Sequence, residues 1–571
     1  MKTKTIILLL LVLSLPINRL LTSPKVPFGN YPASDVFVIQ QIRFDPNNID
    51  TWIINSGVFD QDFRTSNTPG FQWPKGSGKF AVFTAGLTTG AMVNGGLRMA
   101  AASYKGEYSP GYVLNSSGPP VAMTDSTFRF YKIVRGDNMN NSYDWLMWGR
   151  MVPYGAPYID VNHNGTYEPA VDTPGIRGAV QTIFICMTDG FPESHTIGEG
   201  FGGGTPPLFA ELHMTAWGYD NPGYQDIIFK KFVLINKNDT AWNSTYTAIT
   251  ADPDLGFMDD DYIGCDTALK LGFCYNADNM DGDGSGYSYG ANPPAVGFKW
   301  LICSGVTNIG LTSFTYFTNN SAGPPICESD PNGEPLPAYY MLKGLKKDQT
   351  PWVIPPGGNP QYITKFCYTG DPETGTGWNE GIPGSPSGSV QNCGGPNVLT
   401  GPILTNNLSG DRRMIMSSGA ENNTTAPGDT IKLLIAELIA RGSNNKNSVT
   451  LLKQLSSVAQ NLCNSGFIIG VNNISSAVPS SYMLYQNYPN PFNPVTKIKF
   501  NIPPSKGARG MITRLVIYDM LGREVAVLVN ENLKSGTFEA EWDANNYSSG
   551  IYFYSLITKD FVDTKKMVLI K

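Results

Sequence analysis

Histidine is scarce in this 571-residue chain: only His163, His195 and His213 occur. None stands in the H-E-x-x-H spacing that puts two imidazoles and a general base on one helix face, so the usual zinc-peptidase signature is missing. Cysteine is absent before Cys186 and never forms a C-x-x-C pair, which excludes a lipid-modified N-terminal cysteine and disfavours a zinc site. Charge is sparse and balanced, at 15 % of residues, with 41 Lys+Arg against 47 Asp+Glu and a formal net charge of −6. Such a chain has no basic field for a polyanion, so no nucleic-acid partner is expected. Beyond the first residues no apolar run approaches the ~20 residues a bilayer-spanning helix needs, so no transmembrane segment remains once the N-terminus is removed. No G-x-S-x-G occurs. Gly198-Glu-Gly-Phe-Gly-Gly203 fits G-x-G-x-x-G, but Thr205-Pro-Pro207 follows where a helix should begin, so it reads as a loop. Lys75-Gly-Ser-Gly-Lys79 lacks the upstream Gly and the Ser/Thr of a phosphate-binding loop.

What is abundant points elsewhere. Hydrophobic residues make up 41 %, with 28 Tyr, 28 Phe and 10 Trp, which is enough for a large core and excludes general disorder. The 61 Gly and 42 Pro interrupt most windows before a helix could run, so the expected fold is mainly β and loop-heavy. Lys2 and Lys4 precede an apolar run from Ile6 to Leu15 that Pro16 ends, the pattern of a secretory signal peptide over residues 1–23. The even count of eight cysteines then fits either disulfides or buried free thiols.

Residues 34–466 read as a β-sandwich-rich cargo region of one or two subdomains. Strands are expected at 36–43, 80–85, 181–187, 210–217 and 226–235, while 430–439 is equally readable as a helix. One late helix is expected over 448–464, where Val449, Leu452, Leu455, Val458 and Leu462 share a face. Trp52, Trp73, Trp145 and Trp148 fit core packing better than sugar contact.

The clearest chemical motif is Asp160-Val-Asn-His-Asn-Gly-Thr-Tyr-Glu-Pro-Ala-Val-Asp172. Oxygen side chains at positions 1, 3 and 5, Gly at 6 and a carboxylate at 9 follow the EF-hand-like scheme, with Val171 at position 12 and the last carboxylate one residue late. Asp160, Asn162, Asn164, Glu168 and Asp172 are the expected Ca²⁺ ligands, with the Thr166 carbonyl between them. The competing reading is an Asn/Gly turn bonded to its own backbone. A second acidic zone contains Asp252, Asp254, Asp259, Asp260, Asp261, Asp266 and Asp278, then Asp281-Gly-Asp-Gly-Ser-Gly286. Charges this dense favour a cation, and Asp281, Asp283 and Ser285 are the expected donors; the alternative is a solvated acidic loop. Hard oxygen donors point to calcium rather than zinc or iron.

Residues 467–481 are small, polar and Pro-containing, a linker. In 482–571 eleven bases face eight acids, +3 against −9 for the rest, and short alternating runs between Gly and Pro turns predict a small Ig-like β-sandwich. Tyr485-Gln-Asn-Tyr-Pro-Asn-Pro-Phe-Asn-Pro-Val-Thr-Lys-Ile498, Val516-Ile-Tyr-Asp-Met-Leu-Gly-Arg-Glu-Val525, Ser549-Gly-Ile-Tyr-Phe-Tyr554 and Lys565-Lys-Met-Val-Leu-Ile-Lys571 resemble the C-terminal sorting domain of type IX secretion substrates of Bacteroidota-type bacteria. By that resemblance Tyr488, Pro489, Asn490, Pro491, Phe492, Asn493, Pro494, Gly522, Gly550 and Tyr552 carry the sorting motif. The implied partners are the Sec machinery and the type IX outer-membrane apparatus, and the implied destination is the outside or the outer-membrane surface, via the periplasm. Trp73-Pro-Lys-Gly-Ser-Gly-Lys-Phe-Ala81, Glu107-Tyr-Ser-Pro-Gly111 and Arg441-Gly-Ser-Asn-Asn-Lys-Asn-Ser-Val449 look like functionally undefined secreted proteins with the same tail. The reading favours a non-enzymatic, calcium-stabilised adhesion or structural protein, with surface polysaccharide a candidate ligand. The rival is a secreted hydrolase acting on polysaccharide or protein, whose paired carboxylates sequence spacing would not reveal.

Overall fold

The computed structural model describes residues 39–571 apart from 65–67, 118–126, 163, 283–285, 320–325, 355–361, 382–392, 394–407, 465, 468–471, 476–478, 505–510, 534 and 545–546. The signal segment 1–23 lies outside the described residues, as do Asp283 and Ser285.

The protein is mainly β, as its Gly and Pro punctuation implied. Two antiparallel sheets carry the cargo region. The first runs in the order Gln41–Phe44, Thr51–Ile54, Val58–Phe59, Thr84–Val93, Trp242–Asp252, Arg412–Gly419, Ser313–Thr318. The second runs Ser109–Pro110, Gln181–Thr188, Ala210–Gly218, Ile227–Asn236, Thr430–Ala440, Ala295–Trp300, Leu271–Asn276, Asp261–Asp266. Ile53, Leu87, Ile249 and Met414 of the first sheet share one core with Ile185, Leu212, Leu234, Val296 and Ile435 of the second, so the sheets pack face to face.

The second sheet is buried on both faces, which settles the ambiguous segment. Leu433, Ile435 and Ile439 point into the core between the sheets, whereas Leu434, Ala436 and Leu438 pack on the other side with Val449, Leu452 and Leu462. Two apolar faces erase the alternation by which a strand is recognised, so 430–439 reads as strand or helix from sequence alone, and it is a strand paired with Ile227–Asn236. The late helix spans Asn445–Asn464, starting three residues before the expected position because the Asn444 side chain accepts the Asn447 N–H at 2.8 Å and caps it. A disulfide, Cys303–Cys463, fastens its far end, and a second joins Cys327 to Cys393; Cys186, Cys265, Cys274 and Cys367 are free and buried.

Among the described residues, two further α-helices join the one at 445–464. Tyr143–Met147 forms a short helix and Pro335–Leu342 a longer one. Proline at the first turn lacks an N–H that would have no partner there, so Pro335 and Pro337 mark a helix start rather than forbid one. Trp148 is fully buried and Trp73 nearly so, with Trp52 packed against the main core. Described helices include none long and apolar enough to cross a membrane.

The tail forms two four-stranded sheets. One comprises Asn472–Ser475, Gly536–Asp543, Val495–Ile502 and Met483–Leu484, and the other Glu524–Leu533, Met511–Tyr518, Gly550–Thr558 and Val562–Leu569. Phe500, Leu515, Ile517, Trp542, Tyr554 and Met567 fill the space between them. Within the expected linker 467–481, Asn472–Ser475 pairs with Thr537–Glu539, so the tail's sheet begins before Tyr482.

Candidate functional site

The loop 160–172 is bracketed by a two-stranded ladder, Tyr158–Ile159 against Thr173–Pro174, which brings its ends together. Inside it the side chains turn inward. The Asp160 carboxylate accepts the Gly165 N–H at 2.7 Å and the Asn164 N–H at 3.2 Å, and Asn164 Oδ1 accepts the Thr166 N–H at 2.8 Å. Gly165 sits at φ +75°, the left-handed geometry that lets the chain reverse around Asp160. Asn162 and Asn164 each donate Nδ2–H to Glu168 Oε2, at 2.6 and 2.7 Å. The oxygens of Asp172, which is 1 % exposed, accept the Val161 and Glu168 N–H groups at 2.9 and 2.8 Å. Its position one residue late therefore makes it the strut that closes the loop. The loop thus brings Asp160, Asn162, Asn164 and Glu168 together, hydrogen-bonded to one another and to the loop's own backbone.

The acidic zone, by contrast, separates into distinct sites. Asp281 is fully buried and accepts the backbone N–H of Phe257, at 2.9 Å, and of Tyr289; burial still pushes its carboxyl up to about 6. Asp260 accepts the Gly282 N–H and an Asn276 Nδ2–H, and Asp266 with Asp371 flanks Lys453. These carboxylates hold backbone and helix in place.

A third group was illegible in sequence. Asp252 and Asp254 meet Asp411, which is far along the chain, with one oxygen of each within 4.8 Å of the others. Asp252 and Asp411 are 4 % and 5 % exposed; Asp411 Oδ1 has no hydrogen-bond donor, while Asp252 Oδ1 faces Arg413 Nε at 3.4 Å. Arg413 reaches Asp411 at 2.6 Å and Asp252 at 3.4 Å, and the Tyr104 hydroxyl donates to Asp252 at 2.8 Å. Burial, only partly offset by Arg413, raises Asp252 to about 7. Burial also holds Asp254 well above the ordinary carboxylate range, so the three carboxylates beside the one guanidinium do not all carry charge. No signal in the sequence links Asp411 to this place.

Two histidines sit in buried networks. His213 Nε2 lies 2.7 Å from Glu211 Oε1, with Cys186 beside them. The Cys186 thiol donates to the Gly111 carbonyl, and burial with the Glu211 charge pushes it well above its ordinary range, the opposite of an activated thiolate. His195, 2 % exposed in its side chain, lies 3.4 Å from Glu107 and 2.7 Å from the Asp189 carbonyl.

The tail's motif residues line one edge. Phe492 is buried and its N–H and carbonyl bond to Val568 and Ile570, both at 3.0 Å, while Asn490 Oδ1 accepts the Val568 N–H at 2.9 Å. The Pro489 carbonyl accepts Thr496 Oγ1–H and the Pro494 carbonyl the Ala544 N–H. Pro491 and Asn493 flank Phe492 on the exposed side. Tyr488 is 79 % exposed. Gly522, at φ +76°, turns the chain under the Asp519 carboxylate. Gly550 opens the strand that carries Tyr552, whose ring meets Trp542 edge-on at 5.2 Å.

Residues 486–571 match the family described as the secretion system C-terminal sorting domain. The tail is a type IX secretion sorting domain. The sorting domain sends the chain through the periplasm to the outside or the outer-membrane surface. Among the curated proteins there is no match. Of solved structures, a polysaccharide lyase is similar over 63 % of this chain and 34 % of its own, at 7 % identity and a TM-score of 0.16. The chain thus spans about a third of that lyase, and so slight a likeness carries no argument about activity.

Proposed function

We propose that this type IX substrate works outside the cell as a non-enzymatic, calcium-stabilised structural or adhesive protein. The observation that carries the reading is the inward wheel of Asp160, Asn162, Asn164 and Glu168, closed by the Tyr158–Ile159 ladder and the buried Asp172. The convergence of Asp252, Asp254 and Asp411 supports a second calcium position, where a cation would displace the protons that burial places on the group. In both, the cation would replace charge repulsion with coordination, so binding and folding are coupled. The raised Cys186 thiol speaks against a thiolate nucleophile in the most enzyme-like trio of side chains.

Titration calorimetry of the purified, chelator-stripped protein tests this. Calcium should bind with Kd on the order of 10⁻⁴–10⁻³ M, the range of extracellular modules. An absence of binding heat at millimolar calcium would contradict the proposal.

A further inference from the structure

The core between the two large sheets contains a primary amine held between two carboxylates. Lys230 lies on Ile227–Asn236 and Glu437 on the adjacent Thr430–Ala440, where Ile228 is the register partner of Glu437 and Ile435 that of Lys230. Strand alternation puts Lys230 on the face of Ile228, Phe232 and Leu234, and Glu437 on that of Ile435 and Ile439, so both point at the first sheet. From that sheet, just after Val58–Phe59, Asp60 points back at them. All three are 0–1 % exposed. Lys230 Nζ donates to Glu437 Oε2 and, at 3.2 Å, to Asp60 Oδ1; the Phe59 ring lies 4.2 Å from the ammonium. Thr51 Oγ1–H donates to the same Asp60 oxygen at 2.7 Å.

An ion pair this deep is a poor stabiliser, because desolvating the charges offsets their attraction. The second carboxylate worsens the balance. Asp60 Oδ2 and Glu437 Oε1 are both buried without another donor, which a proton on Glu437, shared with Asp60, satisfies. Burial first, then the charge of Asp60, holds Glu437 well above the ordinary carboxylate range, so that proton is available.

We infer that Lys230 and Asp60 are covalently joined by an isopeptide bond, formed autocatalytically with Glu437 as the proton relay. Lys230 first gives a proton to Glu437 Oε2 while Glu437 hands its own to Asp60 Oδ2, which leaves a free amine and a neutral acid whose Oδ1 stays the carbonyl, a neutralisation that the water-free surroundings favour. The free amine then attacks Asp60 Cγ, whose carbonyl oxygen is polarised by Thr51. Glu437 gives its proton to the departing hydroxyl of Asp60 and recovers one from the amine nitrogen. The C–O bond breaks, the C–N bond forms and one water leaves. The balance is one ammonium and one carboxylate giving one amide and one water, with no change of oxidation state and Glu437 regenerated. Proximity supplies what an external catalyst otherwise would, since the amine and acid are held in contact in a dry site.

The product would bridge the two sheets and close a loop across 170 residues of chain, restricting the unfolded state as a long-range disulfide does, but without sensitivity to reductants. It goes beyond the calcium reading and does not depend on it.

Mass spectrometry of the full-length or secreted wild-type protein, reduced and denatured, tests it without a variant. The intact mass should be lighter than its sequence by one water, and a tryptic digest should contain a branched peptide carrying both Asp60 and Lys230. Glu437→Gln should restore the full mass, whereas Asp60→Asn, which loses ammonia in place of water, should give the same cross-linked mass as wild type. A wild-type mass equal to the sequence, with cleavage after Lys230 and a linear Asp60 peptide, would overturn the inference.

Discussion

Phe492 lies beside Leu569 in a parallel bridge, so the segment that opens the sorting domain is bonded to the strand that closes it. The motif at 488–494 and the chain's last residues therefore form one surface. Truncating either disturbs both.

Deleting 482–571 should leave the cargo in the periplasm, and fractionation of the producing cells checks this. Phe492→Ala empties a fully packed site at a cost of about 3–5 kcal/mol, enough to unfold a domain of this size and give the same retention. Tyr488→Ala, at an exposed position, should leave the melting point of the tail unchanged; a loss of export there would assign the ring to partner contact.

The Cys303–Cys463 disulfide ties the helix Asn445–Asn464 to the loop after Ala295–Trp300. Replacing both cysteines by serine should cost about 2–5 kcal/mol, seen as a lower denaturant midpoint with the β signal retained below it.

Stability should fall as pH rises from about 4 to about 9. Burial alone would lower His195, but the Glu107 hydrogen bond and charge, with Asp189, outweigh it and push the imidazole up from 6.5 to about 9. Its contribution is complete below pH 6.5 and is lost as pH rises through 9. Burial lifts Asp189 to about 6 and Glu199 to about 7, so the folded state holds these protons too after the unfolded chain has released them. All three effects share one sign. His195→Gln should remove on the order of 2–3 kcal/mol of the difference between pH 6 and pH 10, measured by urea unfolding at each pH.

Much of this molecule was legible where one face of a strand meets water. In the tail, Phe538, Ala540 and Trp542 alternate with Glu539 and Glu541 along the strand Gly536–Asp543, the short alternating pattern from which a sandwich was expected. Thr430–Ala440 lacked that contrast because both its faces are covered. The loop 160–172 could be read because its donors are local, whereas Asp411 reaches Asp252 and Asp254 only through pairing of Arg412–Gly419 with Trp242–Asp252. Lys230, Asp60 and Glu437 were equally hidden: a charged residue in a strand reads as solvent-facing until the opposing sheet is in place.

Asp160→Ala removes the carboxylate on which Asn164 and Gly165 turn, so it should abolish the calcium response of that loop while leaving the Asp252 group able to respond. The calcium-dependent shift in Tm should shrink without vanishing, and an undiminished shift would move the binding elsewhere.

The most direct test is the melting curve of the purified wild-type protein in millimolar calcium and in excess chelator. At about 10 mM calcium, roughly ten to a hundred times the expected Kd, each site should add about 1.4–2.7 kcal/mol and raise Tm by a few degrees. Superimposable curves would contradict a calcium-stabilised cargo.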